Sequence, residues 1–452
     1  MGRFAVSRLV RWTAPAAVVL IAAAGSFSPS SAGRSRTKPA PGPAPTASPT
    51  ASPTPAPSPA GRTYYVDAVA GNDAASGLSE AMAWRTAGRA GSAEVTPGDS
   101  VLFKRGQTFS GEMTISSSGS ASARVTFGTY GTGTAPVITG GSSCVVVSGS
   151  FVALRGFRLE NCSWAGVDLA GGGNLIEENV ISNNVAGVAV RPTSADNSIV
   201  RNQLLSNNKM SRLTAGSADD DSGAFGILIN GDRNEVAFNT ISGSDAFSYD
   251  YGRDGSAVEI YGGRDNHVHH NRAADNDTFA ELGDARASGN VFAYNVVTSV
   301  LADSIFLVTR GSASSFGPVT GTTAANNTVV LSGSRSQGFV CHAGCDATIL
   351  KMRNNVIEAV WKAGYADGAF DEENNVFWGG QAQFQMSSSA VFADPLFSDR
   401  TKGDFRLAFS SPGVDRGSDA GYAVDFNGLP VPIDGNRDGV KAPDSGAYEF
   451  GV

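Results

Sequence analysis

Three observations in the 452-residue sequence predict an all-β solenoid of the right-handed parallel β-helix kind. An asparagine followed by apolar residues recurs through the middle of the chain. A short apolar strand precedes most of these segments. The composition is turn-rich, with 55 glycines and only 17% charged residues. The asparagine segments are ENVIS at Asn179, RNQLL at Asn202, FNTIS at Asn239 and HNRAA at Asn271, then YNVVT at Asn295, NNTVV at Asn327, NNVIE at Asn355 and NNVFW at Asn375. The strands read GVAV (187–190), GILI (226–229), AVEI (257–260), FAEL (279–282), IFLV (305–308) and GFVC (338–341). No helical period competes with this pattern, and strands this short cannot stand alone. Each unit buries its apolar face only by stacking on its neighbours, which predicts about eight to ten coils. Successive strands would run parallel, about 4.8 Å apart. The longer repeat intervals contain insertions, most clearly Lys209–Ser222 and Asp245–Gly255. The asparagines are read as structural, because a side-chain amide at the same turn of each coil can bond to the next and tolerates left-handed geometry.

Residues 1–32 read as an export signal. Arg3, Arg8 and Arg11 are basic, Ala14–Ala24 form an apolar run, and Ser30-Ser31-Ala32 offer small residues for cleavage. A run of about a dozen residues is too short for a bilayer, which needs roughly 20. Residues 33–61 form a linker rich in proline, alanine, serine and threonine, a composition that favours extended polyproline II. Residues 62–136 are read as an N-terminal cap with the first strands, 137–390 as the β-helix and 391–452 as its closing segment. The expectation is a secreted or cell-surface monomer with no transmembrane segment in the mature chain. A net charge of −8 gives no basic footprint for nucleic acid. It also means that an acidic polysaccharide would have to be met by a local basic group or a bound cation. Four cysteines in an exported chain suggest disulfides. Cys341 and Cys345 flank HAG, while Cys144 and Cys162 lie 18 residues apart, close to one repeat length. Three connectivities are open, and the two local bridges are preferred.

Three stretches carry a family resemblance. The opening is YYVDAVAGNDAASGLSEAMAWRTAGRA with TPGDSVLFKRGQTF, the middle is the repeats from about Val137 to Gly379, and the exit runs from ADPLFSD to DSGAYEF. Together they resemble the pectate-lyase-like superfamily of bacterial right-handed β-helix proteins. The resemblance implies a cap of one strand, a Gly-Asn-Asp turn and a short helix. It also implies action on extracellular polysaccharide, but the superfamily spans lyases, hydrolases, epimerases and non-catalytic proteins, so fold alone selects no reaction. The polygalacturonase set of Asn-Thr-Asp, Asp-Asp, Gly-His-Gly and Arg-Ile-Lys is absent, and no pectate-lyase-type calcium cluster matches.

Alternation along the strands points to a candidate site. With Val188, Ile227, Val258, Ala280, Phe306 and Phe339 inward, the outward row reads Ala189, Leu228, Glu259, Glu281, Leu307 and Val340. Glu259 and Glu281 then stack on adjacent coils. Two carboxyl groups about 5 Å apart suit the acid and nucleophile of a retaining glycosidase. The next outward row is Arg191, Asn230, Tyr261, Gly283, Thr309 and His342. Arg191, Asn230, Tyr261 and Arg310 are candidate substrate contacts, with Tyr249 and Tyr251 of the insertion as sugar-stacking rings. Asp254, Asp277 and Asp303 are candidate auxiliary carboxylates. The competing reading leaves the glutamates solvated, or neutralised by Arg264 or Arg310, on a non-catalytic glycan-binding or surface protein. A lyase would need a basic group beside a uronate. No cofactor is required, but Ca²⁺ has two candidate sites: Asp219, Asp220 and Asp221, and the D-x-N-x-D-G turn of Asp434, Asn436 and Asp438, which Asp444 would complete. The HVHH run at 267–270 is read as structural.

Overall fold

The computed structural model describes residues 61–216 and 220–451, so the expected export signal and nearly all of the expected linker lie outside it. The chain winds as a right-handed parallel β-helix whose coils each add one strand to three ladders. One coil shows the pattern: Glu235–Ala237 joins the first ladder, Thr240–Ser242 the second and Ser256–Tyr261 the third. All three pair in parallel with the coil before. The first ladder has 12 strands, from Thr63–Val66 to Asp371–Glu373. The second and third merge into one 21-stranded sheet because Val356–Ala366 and Val376–Gln383 run through both.

The core is a stack of apolar rows. Ile176, Ile199, Val236, Val268 and Phe292 follow one another up the first ladder, and Val167, Val188, Ile227, Val258 and Ala280 up the third, all fully buried. Each coil therefore removes from water the face its neighbour exposes, which is what binds the solenoid together.

The asparagine series is a buried amide ladder, unbroken from Asn179 to Asn375. The Oδ1 of Asn202 accepts both the backbone N–H and the Nδ2–H of Asn179, each at 3.1 Å. Asn239, Asn271, Asn295, Asn327, Asn355 and Asn375 repeat that bond coil by coil. The remaining amide hydrogens reach main-chain carbonyls, as Asn239 Nδ2 does to Ile199 at 2.8 Å. Only an amide both donates and accepts in this way, and a buried amide left unpaired is costly. The left-handed residue is not the asparagine but the one before it. Glu178, Arg201, Phe238, His270, Tyr294, Asn326, Asn354 and Asn374 have φ between 51 and 58°. A second ladder joins Asn174, Asn197, Asn234, Asn266 and Asn290 at another corner.

Both ends are covered. The helix Ala87–Gly91, capped by the Thr86 side chain, buries Ala87, Ala90 and Gly91 at the N-terminal end, with Trp84 stacked on Tyr64 at 5.0 Å. The closing segment runs back along the first ladder, where Asn354 donates to the Ser418 carbonyl at 2.7 Å and Tyr422 packs on Tyr294 at 4.9 Å. The HVHH run lies beneath it: the His267 ring bonds the Tyr422 hydroxyl, and burial lowers the His267 pKa to about 4. Cys144–Cys162 and Cys341–Cys345 are bridged. Among the described residues, no helix is long and apolar enough to cross a membrane.

The register departs from the sequence reading in one coil. Ala280 pairs with Leu307 and Glu281 with Val308, so Leu307 faces inward and Val308 takes the outward place. Phe306 aligns instead with Phe279, stacked at 5.5 Å, and this buried aromatic pair sets the phase of the strand. One consequence is that Arg310, not Thr309, follows Tyr261 and Gly283 in the next outward row, opposite His342.

Candidate functional site

Glu259 and Glu281 are direct neighbours in the third ladder and face outward. A pocket surrounds them, lined also by Ser222, Phe225, Tyr251, Asp254, Tyr261, Gly283, Arg310 and Phe316. Its walls come from loops at the two bends that flank the ladder. On the entering side, hairpins pair Met210–Arg212 with Ser222–Gly223 and Ala246–Ser248 with Gly252–Asp254, which brings up Ser222, Tyr251 and Asp254. On the leaving side, the loop after Arg310 brings Phe316 to 6.2 Å from the ring of Tyr261.

The floor is charged and buried. Arg310 donates to Glu281 Oε1 at 2.6 Å and to the Leu282 carbonyl at 3.0 Å, with both side chains under a tenth exposed. This is a charge-assisted bond in a water-poor setting. Gly283 makes room for it: a Cβ there would stand 3.2 Å from both Arg310 Nη1 and the Tyr261 ring. Ser256 Oγ bonds Glu259 Oε2 at 3.2 Å. Burial raises the Tyr261 phenol above its ordinary pKa, and burial followed by the Arg310 charge keeps His342 below its own.

The structure gathers Glu259, Glu281, Asp254, Tyr251, Tyr261 and Arg310 of the sequence-derived candidates. The others fall elsewhere. Arg191 is held on Asp168 through two bonds of 2.8 and 2.7 Å, two coils before Glu259. Asp303 pairs with Arg335 on the surface, because the shifted register sets it further from its strand than Asp277 is from Thr278. Asp277 is buried outside the pocket lining, with its N–H on the Ser244 carbonyl at 3.1 Å. Asn230 donates to the Tyr261 carbonyl at 2.9 Å and so braces the pocket strand from the coil before. Tyr249 stands half exposed against Phe247. Arg264 bonds Asp232, not the glutamates. Gly283 stood in the outward row beside the glutamates and Ser222 at the end of the first insertion, whereas Phe316 was missed. Phe225 follows the insertion directly and pairs with Ser256, which was a usable signal, whereas Phe316 sits in a Gly/Ser-rich loop that carries none.

Asp219 lies outside the described residues, but carboxylate oxygens of Asp220, Asp221 and Asp250 come within 4.8 Å of one another. Asp250 accepts the backbone N–H groups of Asp220 and Asp221 at 2.7 and 2.9 Å. Asp221 accepts Thr214 N–H, Ser248 Oγ–H and Tyr249 N–H at 2.7, 2.9 and 2.6 Å. These bonds tie the two insertions together. At the C-terminal turn, Asp434 accepts the N–H groups of Asp438 and Gly439 and Asn436 that of Asp438, while Asp438 itself accepts the Val440 N–H. Asp444 instead accepts the backbone N–H groups of Asp415 and Phe450. These bonds fold the motif into a turn.

Fold and ladders together make the chain a right-handed parallel β-helix repeat protein. The family described as "Right handed beta helix region" matches residues 137–329. No curated protein sequence matches. Among solved structures, the chain is similar to pectate lyase Pel9A, with 14% identity, a TM-score of 0.58, and coverage of 86% of this chain and 96% of that one. It is also similar to the GH136 lacto-N-biosidase from Eubacterium ramulus, with 14% identity, a TM-score of 0.52, and coverage of 74% and 67%. At this identity the likeness is one of fold.

Proposed function

We propose that the protein is an exported glycoside hydrolase acting on extracellular polysaccharide through Glu259 and Glu281. The observation that carries this reading is the walled pocket, in which two outward glutamates occupy adjacent coils above a buried arginine. Strands about 4.8 Å apart put the two carboxyl groups near the separation of about 5–5.5 Å that a double-displacement mechanism uses. Arg310 orients Glu281 and sets a positive charge beside the oxygen that would attack the anomeric carbon. Glu259, which bonds Ser256, would give its proton to the departing glycosidic oxygen and then take one from the water that releases the product. Tyr251, Tyr261 and Phe316 supply ring faces for the sugar, and Asp254 an acceptor for its hydroxyls.

A second reading has one observation behind it: Arg310 is a basic group inside the pocket, as a polysaccharide lyase would need. A screen on plant, algal and bacterial polysaccharides separates the two. Hydrolysis releases reducing ends without the ultraviolet absorbance of an unsaturated uronate, and lyase action produces that absorbance. Glu259→Gln and Glu281→Gln should each lower kcat by at least about 1,000-fold. Hydrolysis that persists within tenfold in both variants would remove the pair from the mechanism.

A further inference from the structure

Three coils beyond the pocket, on the same face, lies a second group of side chains with the chemistry of a sugar site. The third ladder continues from Thr278–Gly283 through Ile305–Arg310 and Gln337–His342 to the C-terminal half of Val356–Ala366. Tyr365 there occupies the row of Glu281, Val308 and Val340. Trp361 stands at the bend just before, on the side from which Tyr251 walls the pocket. It is 43% exposed and lines a shallow groove with Val360, Gly379, Gly380 and Phe392.

Between the two rings sits Lys362. Its ammonium lies 4.3 Å from the centroid of Trp361 and 5.2 Å from that of Tyr365. The residue is only 8% exposed, yet the ammonium meets ring faces and no carboxylate or hydrogen-bond acceptor among the described residues. Burial lowers its pKa without any opposing charge to restore it. Arg310, also buried on this face, has a carboxylate of the protein, as does the half-exposed Arg191. A cation held against two aromatic rings and lacking a counter-charge is a costly arrangement for structure alone.

We propose that Trp361, Lys362 and Tyr365 form a distal subsite for a carboxylate-bearing sugar of the same glycan chain whose scissile bond enters the pocket. The inference rests on the reading of the pocket as a glycan site. Trp361 takes the apolar face of the sugar ring, and Lys362 gives its carboxylate the counter-charge that the acidic chain supplies almost nowhere else on this face. The distance suits a polymer. Three coil steps span about 14 Å, and one step of about 4.8 Å is close to the length of one sugar residue in an extended chain.

The test compares the full chain with Trp361→Ala, Trp361→Phe and Lys362→Met, measuring equilibrium binding to polygalacturonate, to alginate and to their carboxyl-reduced forms. Thermal unfolding shows that each variant is folded. Wild type should bind at least one acidic polymer more tightly than its reduced form. Lys362→Met should lose that preference, roughly tenfold, with binding to the reduced form unchanged. Trp361→Ala should weaken both forms by roughly tenfold and Trp361→Phe by much less. Equal binding of acidic and reduced polymers by wild type, or an unchanged preference in Lys362→Met, would overturn the subsite. Turnover of disaccharide-sized substrates, which fill the pocket alone, is measured in parallel. That activity should be unaffected by Trp361→Ala and abolished by Glu259→Gln, so failure of the distal site and failure of the catalytic reading give different results.

Discussion

Two arginine–carboxylate pairs on the third face are built alike and behave differently. Asp168 and Glu281 occupy the same outward row, and each is met by an arginine one coil on and two residues further along its strand, Arg191 and Arg310. The backbone therefore gives both pairs the same diagonal geometry. Their surroundings separate them. Arg191 is about half exposed to solvent at 49%, whereas Arg310 is buried at 6% beneath Tyr261 and Phe316. Between Asp168 and Glu259 the row is apolar, with Ala189 and Leu228 packed in a cluster with Trp164 and Phe225. The ladder repeats a position, and the inserted loops decide whether that position is surface or site.

Removing Arg310 should have the largest effect. Arg310→Ala leaves Glu281 buried without its counter-charge, which costs about 3–5 kcal/mol in a thermal or denaturant unfolding experiment and abolishes hydrolysis. A smaller loss would mean that water reaches the pocket floor and that the two pairs are more alike than their burial indicates.

The next prediction contrasts this face with the first, where His267 is half-buried below the closing segment. Its folded pKa of about 4 lies below the ordinary histidine value of 6.5, so stability is complete above pH 6.5 and is lost as pH falls towards 4. Thermal unfolding from pH 7 to 4 should register a loss of up to about 2 kcal/mol that His267→Gln removes. Identical pH profiles for the two proteins would show that the histidine is hydrated.

A third substitution tests the scaffold common to both pairs. Asn239→Ala breaks the amide ladder mid-way and leaves the Asn202 amide and backbone N–H short of an acceptor, at a cost of about 2 kcal/mol. The smallest effect belongs to the exposed pair. Arg191→Ala should change stability by less than about 1 kcal/mol and leave turnover intact. Loss of activity in that variant would extend the site to the earlier coils.

The fold was legible because its cause is local and repeated. Period-two strands and an asparagine every coil can be counted in the sequence, and stacking is the only way such strands bury their faces. The neighbouring positions of Glu259 and Glu281 followed from the same count. The second amide ladder was as regular but was hidden by the varied residues around it, as in GGNLI at Asn174 and SADNSIV at Asn197.

What the count did not reach was phase and the landing of loops. The strand at 305–310 shifted by one residue because Phe306 stacks on Phe279, and that shift placed Arg310 beside Glu281 and left Asp303 to Arg335. Phe316 reached the pocket through a loop whose sequence carries no periodic signal. By itself, then, the sequence determined the solenoid, its amide spine and the face bearing two glutamates, since these depend on contacts between equivalent residues of adjacent coils. Only the tertiary structure decided which charges are paired, which are buried and where the pocket closes, because those depend on packing between segments that share no repeat.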